Sequence, residues 1–512
     1  MKKLFKKIFN RMFLISFFVV LQIAILVFGM MHLSNTYIYF AIFLNTLSVA
    51  VVIYILNKSD NPIYKLTWIV PIIAFSFVGG LFYLILQIQT IRKTYRRKLH
   101  QIIDESSPYF LRDDSMIEEA RKKDPRIANT ISYMNNSGEY PAVKKTTTKY
   151  LRSGEEKWHE MLAQLKKARR YIFLEYFIIG EGIMWESVLD ILKKKVLRGV
   201  EVRVLYDGMG SISTLPSNYS KKLSKLGIKC RIFSPYVPFL SAYQNNRDHR
   251  KICVIDGRVA FTGGINIADE YVNIDSRFGH WRDTSIMVEG DAAYNFAVMF
   301  LQMWRMADKA PVDYNKYRPS QRIRESFQDD GYVIPYATSP CTAENAGVFI
   351  YRDIINNAVD YLYIISPYLI LDYEFILSLT FAAKRGVDVR IILPQIPDKW
   401  YTHSVAVSYF EELIENGIKI YKYTPGFIHS KIFVSDDKTA IVGTINLDYR
   451  SLYLHYECAV WMYESGAVKE VLDDFIHVLE AYCQEVTLEE SRDINLFRRV
   501  LNTFLRLIAP LM

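Results

Sequence analysis

"RDHRKICVIDGRVAFTGGINIADEY" (residues 247–271) sets His249 two positions before Lys251 and seven before Asp256, with Gly263, Gly264 and Asn266 following. The arrangement returns in "FIHSKIFVSDDKTAIVGTINLDYR" (427–450) as His429, Lys431, Asp436, Gly443 and Asn446, and His, Lys, Asp, Gly and Asn are all displaced by 180. A single H-x-K is weak evidence of anything, but two copies in register, in a chain with nine histidines, point to a shared function. In each copy the alternation "HRKICVID" or "HSKIFVSD" predicts a strand carrying imidazole and ammonium on one side. The glycine turns bring backbone close and aim Asn266 and Asn446 at the same place.

The duplication extends outward from these motifs. "YIFLEYFII" (171–179) and "VEVRVLYD" (200–207) predict strands on either side of a helix over 185–197, whose lysines 193–195 form its solvated face. "YLYIISPYLI" (361–370) and "RGVDVRIILP" (385–394) repeat the plan, so the chain is an internal repeat of mixed α/β units. The expected domains are 141–325 and 326–512, packed about a pseudo-twofold axis so that two incomplete sets of His, Lys and Asn make one site.

Two lysines and two amides around a small volume suit a phosphate, supplying charge and donors where oxygens gain charge during displacement. Two opposed histidines suit a two-step reaction in which one imidazole attacks phosphorus and the other moves a proton to and from the alcohols. That scheme needs no metal and no cofactor. Each histidine then requires a carboxylate on its far nitrogen, and Asp283 in "HWRD" and Glu457 in "LHYE" are the candidates. Asp256 and Asp436 belong to the motif, yet their place after the strand suits holding a turn better than touching phosphate.

With 512 residues, the chain accommodates two full domains and a further segment. The extra segment is residues 1–100, where the uncharged apolar runs 12–31, 36–56 and 66–88 predict a membrane anchor of two or three transmembrane helices. Leu4, Phe5, Ile8, Phe9, Met12 and Phe13 share one helical face opposite lysines, as in an interfacial helix. Basic residues flank the first and third runs, which favours a multi-pass protein of the cell membrane with its large C-terminal part in the cytoplasm. Residues 101–140 are expected to be a juxtamembrane linker. The basic excess is confined to the anchor: residues 1–100 hold 12 Lys or Arg and one acid, while 101–512 hold 51 basic and 53 acidic residues. Anionic lipid is therefore the expected partner and nucleic acid is not. Five scattered cysteines without C-x-x-C spacing read as core residues of a reducing compartment.

The paired H-x-K-x4-D motifs resemble those of the phospholipase D superfamily, and the bacterial cardiolipin synthases within it resemble this chain over nearly its whole length. The similarity includes "NPIYKLTW" (61–68), "YDGMGS" (206–211), "RDHRK", "HWRD" and the terminal "LIAPLM". It implies two phospholipase D-like α/β/α sandwich domains that transfer a phosphatidyl group from one phosphatidylglycerol to another and release glycerol. It also implies His249 as nucleophile, His429 as acid and base, and Lys251, Lys431, Asn266 and Asn446 as phosphate contacts. A serine common beside the turn glycine in that family is absent: Gly264 and Thr444 stand there. Competing readings are a lipid hydrolase using water as second nucleophile, a membrane-tethered nuclease and an inactive scaffold. Ile494, Phe497, Leu501, Phe504, Leu505 and Ile508 give the C-terminal segment an amphipathic helical face suited either to lipid or to the second domain.

Overall fold

The computed structural model describes residues 38–58, 62–75, 79–86, 90–136, 139–235, 245–308, 310–342 and 344–511, with isolated positions between 20 and 32. Most of the first apolar run, and the whole of the interfacial face expected over residues 4–13, lie outside the described residues.

Each repeat folds into a mixed sheet. In the first, β1 (Thr146–Leu151), β2 (Tyr171–Tyr176), β3 (Glu201–Asp207), β4 (Lys229–Phe233), β5 (Lys251–Ile255), β6 (Val259–Gly263) and β8 (Ser285–Gly290) take the order β1-β8-β6-β5-β2-β3-β4, while β7 (His280–Arg282) lies outside the sheet. In the second, β9 (Tyr332–Thr338), β10 (Tyr361–Ile365), β11 (Asp388–Pro394), β12 (Lys419–Tyr423), β14 (Ile432–Ser435), β15 (Thr439–Gly443), β16 (Glu457–Tyr463) and β17 (Cys483–Glu485) take the order β9-β16-β15-β14-β10-β11-β12-β17. Apart from β17 the two orders match strand for strand. The strands β2, β5, β6, β14 and β16 are buried along most of their length, which fits their continuous apolar runs.

The two sheets share a core. Helix Asp291–Ala307 is almost wholly buried and lies against both sheets, and helix Gly466–Tyr482 takes the corresponding place in the second repeat. The region expected as a linker is instead folded into this body. Helices Thr90–Ser106, Ser115–Lys123 and Pro125–Asn136 bury Leu99, Ile102, Met116, Ile127 and Ile131. They are fixed by polar bonds as well: the Asn295 amide bonds both the N–H and the carbonyl of Leu111 (2.8 and 3.1 Å), and Thr130 Oγ1 donates to Asp353 (2.7 Å). Their apolar residues recur at helical spacing between many charges, which is the pattern of a helix with one buried stripe.

The membrane expectation needs correction for the described residues, among which no helix is long and apolar enough to cross a membrane. The second run forms helix Ile38–Leu56, about 28 Å long, at the margin of a hydrocarbon core of about 30 Å. The third is divided between helices Pro62–Ala74 and Gly79–Leu86, roughly 20 and 12 Å long. The second of these folds back on the first and packs on helix Ile38–Leu56, because Gly79 and Gly80 have no side chain: a Cβ at Gly79 would stand 2.6 Å from Ile72 Cα and one at Gly80 2.7 Å from Ser48 Cα.

Candidate active site

The two motif histidines are placed by backbone pairing between the repeats. β13 (Gly426–Ile428) pairs in parallel with β7, setting Ile428 opposite Arg282, and Asp248 forms the equivalent bridge to Tyr456. The next residue along each strand is the histidine: His429 N–H donates to the Arg282 carbonyl (2.7 Å) and His249 N–H to the Tyr456 carbonyl (2.9 Å). Each histidine, expected to open its strand, stands just ahead of the observed one, β5 or β14, since its backbone is committed to the other repeat.

That register brings the carboxylates across the seam. His249 Nδ1 lies 2.9 Å from both oxygens of Glu457, and His429 Nδ1 lies 2.6 Å from Asp283 Oδ2. Asp283 and Glu457 are thus the histidine partners, each serving the histidine of the opposite repeat. A carboxylate accepting from Nδ1–H leaves Nε2 of the neutral ring as a free lone pair. Lys251 Nζ donates to the His249 carbonyl (2.7 Å) and Lys431 Nζ to the His429 carbonyl, and each ammonium keeps further hydrogens for an anion. Asn266 donates to Tyr271 Oη (2.8 Å) and accepts from Ile178 N–H (3.0 Å), while Asn446 donates to Ser451 Oγ (3.0 Å). Each donated bond uses one of the two amide hydrogens of its Asn.

Asp256 and Asp436 do not join this site, and their place in the motif is structural. Each lies at the far end of its strand with positive φ and accepts from three consecutive backbone N–H groups: Arg169, Arg170 and Tyr171 (2.7–2.8 Å), or Val359, Asp360 and Tyr361 (2.9–3.0 Å).

Burial dominates the electrostatics. It lowers His249 to about 3 against the pull of Glu457, and drives His429 well below its ordinary value with help from the charges of Lys431 and Lys251. Burial also brings Lys251 down to about 8 and Lys431 to about 7. The two carboxylates diverge. Burial lifts Asp283 to about 6, against Lys431 and the Thr284 N–H, whereas the charge and hydrogen bond of His249 outweigh burial at Glu457 and hold it well below its usual range. The turn residues follow the same division: Thr444 Oγ1 donates to Glu457, but a Cβ at Gly264 would stand 2.0 Å from Asp283 Oδ1. Glycine at 264 is the condition for Asp283 to reach His429.

Sequence reasoning missed several supports. Asp207 is wholly buried, accepts from Arg247 (2.9 Å) and Asp248 N–H (3.0 Å), and so fixes the approach to His249. Lys157 Nζ and Tyr351 Oη donate to the carbonyls of Ile265 (3.4 Å) and Ile445 (2.8 Å), just before the two site asparagines. The "YDG" run was a visible signal for Asp207; Lys157 gave none. His455 also borders the site, its ring centroid 5.5 Å from that of His249. Among the described residues, His249, His455 and Glu457 are the one group spaced to hold a metal ion, with ligand atoms within 4.8 Å of one another.

Comparison with known proteins agrees with this geometry. A family model described as "Cardiolipin synthase, PLD-like domain" matches residues 161–304 and 351–479, and one described as "Phospholipase_D-nuclease N-terminal" matches 46–87. The chain belongs to the cardiolipin synthase family. A protein named cardiolipin synthase from Alkalihalophilus pseudofirmus is 34% identical over 92% of this chain and 92% of its own length. One of the same name from Halalkalibacterium halodurans is 34% identical over 91% and 92%. Phosphatidylserine synthase of Haemophilus influenzae has a related fold, with a TM-score of 0.57 at 13% identity, covering 76% of this chain and all of that one. The chain is accordingly a phosphatidyltransferase of the phospholipase D type.

Proposed function

We propose that the protein joins two phosphatidylglycerol molecules into cardiolipin through a phosphohistidine on His249. The reciprocal exchange of carboxylates across the seam carries this reading, since it orients both imidazoles there, with Lys251 and Lys431 both close enough for their charges to act on His429. The neutral His249 Nε2 attacks phosphorus, the bond from phosphorus to the glycerol oxygen breaks, and His429, which takes up a proton once the phosphodiester anion offsets the charges of Lys431 and Lys251, gives that oxygen its proton. The terminal hydroxyl of a second phosphatidylglycerol then returns a proton to His429 and attacks phosphorus, breaking the phosphorus–nitrogen bond and freeing His249. The divergent carboxylates support this assignment of roles. Glu457 remains ionised and orients a neutral nucleophile, while the pair of His429 and Asp283, with its carboxyl raised to about 6, is the better proton store.

An exposed apolar surface supports a bilayer as the source of substrate. The C-terminal helix Leu496–Ile508 turns Leu505 to the core and leaves Leu496, Phe497, Val500 and Phe504 exposed. It packs on Pro62–Ala74 through the Thr67 Oγ1 bond to the Leu507 carbonyl (2.9 Å), beside the exposed Leu66, Val70 and Ile73. We read this combined face, with the apolar N-terminal segment, as the membrane attachment.

Purified protein on phosphatidylglycerol vesicles tests the reading. Cardiolipin with equimolar glycerol is the expected product, and phosphatidic acid alone would make the protein a hydrolase. Acid-labile labelling from phosphate-labelled lipid should vanish in His249→Asn; persistence of the label would move the nucleophile to His429.

A further inference from the structure

We infer that His455, Glu457 and His249 form an inhibitory site for a divalent transition metal of the zinc class. His455 is 9% exposed, and neither of its ring nitrogens has a hydrogen-bonding partner. Its Nδ1 stands 3.6 Å from Glu457 Oε1, beyond hydrogen-bond range, and the same oxygen lies 2.9 Å from His249 Nδ1. One carboxylate oxygen is therefore flanked by two imidazoles. Zinc bound at about 2.0 to 2.1 Å in tetrahedral geometry keeps its ligands about 3.3 Å apart. The observed spacings fit such a site after small shifts, and two imidazoles with one carboxylate select zinc, cobalt or nickel over magnesium.

The site exists on one side of the active centre alone. Residues 281 and 455 occupy equivalent positions, two residues before Asp283 and Glu457. Trp281 lies tilted against His429, with ring centroids 5.2 Å apart, and an indole cannot ligate a metal there. A metal at His249 Nδ1 takes the lone pair of that nitrogen, so the single proton of the neutral ring moves to Nε2. The lone pair aimed at phosphorus is then lost, and so is the bond that orients the ring. The binding stands on the three side chains; its inhibitory consequence rests on the role proposed for His249.

The test uses full-length protein in detergent, freed of metal with a chelator. Cobalt should bind at one equivalent per chain with the visible spectrum of a low-coordinate nitrogen and oxygen site, and zinc should displace it. In His455→Asn and His455→Phe, zinc affinity should fall at least tenfold, and the zinc concentration that halves cardiolipin formation should rise by the same factor. Magnesium should have no effect, and a chelator should restore wild-type activity. Wild-type zinc affinity in either variant would overturn the proposal. Zinc binding that depends on His455 in a protein that makes no cardiolipin would instead uphold the metal site and refute the proposed function.

Discussion

At the scale of single residues, the chemistry turns on how the protein divides charge between two imidazole and carboxylate pairs that the sequence presents as equals. Glu457→Gln keeps the shape of the site but removes the charge that fixes the His249 tautomer. Activity should fall roughly 10³- to 10⁴-fold with little change in KM. Asp283→Asn should slow the release of glycerol as well as its replacement, which single-turnover measurements with labelled headgroup would resolve. The lysines predict a pH dependence of anion binding. Burial lowers them to about 8 and 7, and only the protonated forms attract a phosphodiester, so binding should be tightest below pH 7. It should weaken by up to about tenfold per pH unit for each proton taken up as pH rises through 7 to 8. Lys431→Arg should remove the lower of these two transitions, because guanidinium stays charged; an unchanged profile of inhibition by inorganic phosphate would refute the assignment. The motif residues were legible because the chain writes them twice. The crossed pairing was not, since neither "HWRD" nor "LHYE" records which repeat its carboxylate will face. His455 escaped notice for the opposite reason: its counterpart is Trp281, so no repetition marks it.

At the scale of elements, the strands were legible from apolar runs that the fold buries, and the failures were of context. Residues 90–136 carry enough charge to read as a tether, yet their buried positions fall on one face of each helix and complete the core. The third apolar run looked continuous because hydropathy is blind to the close approach that Gly79 and Gly80 permit. The motif aspartates illustrate how position within an element decides a role. Asp256 sits one strand length from His249 and ties three backbone N–H groups ahead of β2 to the end of β5. Asp256→Ala leaves those donors buried or half-buried without an acceptor and should cost about 3 kcal/mol. That loss should appear as a thermal midpoint lower by roughly 5 to 10 °C, with KM for phosphatidylglycerol unchanged in the protein that remains folded. A selective loss of kcat at unchanged stability would return Asp256 to the catalytic set.

At the scale of the whole molecule, a phospholipid substrate has to reach histidines that are nearly buried, and the proposed membrane attachment makes a prediction about the outer surface. The C-terminal helix divides the face expected from its sequence. Leu505 is buried and Leu501 and Ile508 pack against the second repeat, while Phe497 and Phe504, joined by Leu496 and Val500, point outward. Two of the three arginines of this helix are held to the protein, Arg499 facing Glu411 (3.8 Å) and Arg506 stacking over Tyr409 (4.1 Å), while Arg498 is exposed. The exposed apolar residues of this helix adjoin those of Pro62–Ala74, to which the Thr67 bond ties it, and in the proposed reading the two helices form one lipid-facing surface. Full burial of a phenylalanine contributes about 1.5 to 3 kcal/mol. Insertion of each ring to about half that extent gives about 1.5 to 3 kcal/mol for the pair, so replacing both Phe497 and Phe504 by Asp should weaken binding to phosphatidylglycerol vesicles by roughly 10- to 100-fold in flotation assays. In detergent micelles, where substrate no longer has to be reached through a bilayer, the doubly substituted protein should keep its turnover. Equal losses in both settings would mean that the helix supports the second repeat and takes no part in meeting the membrane.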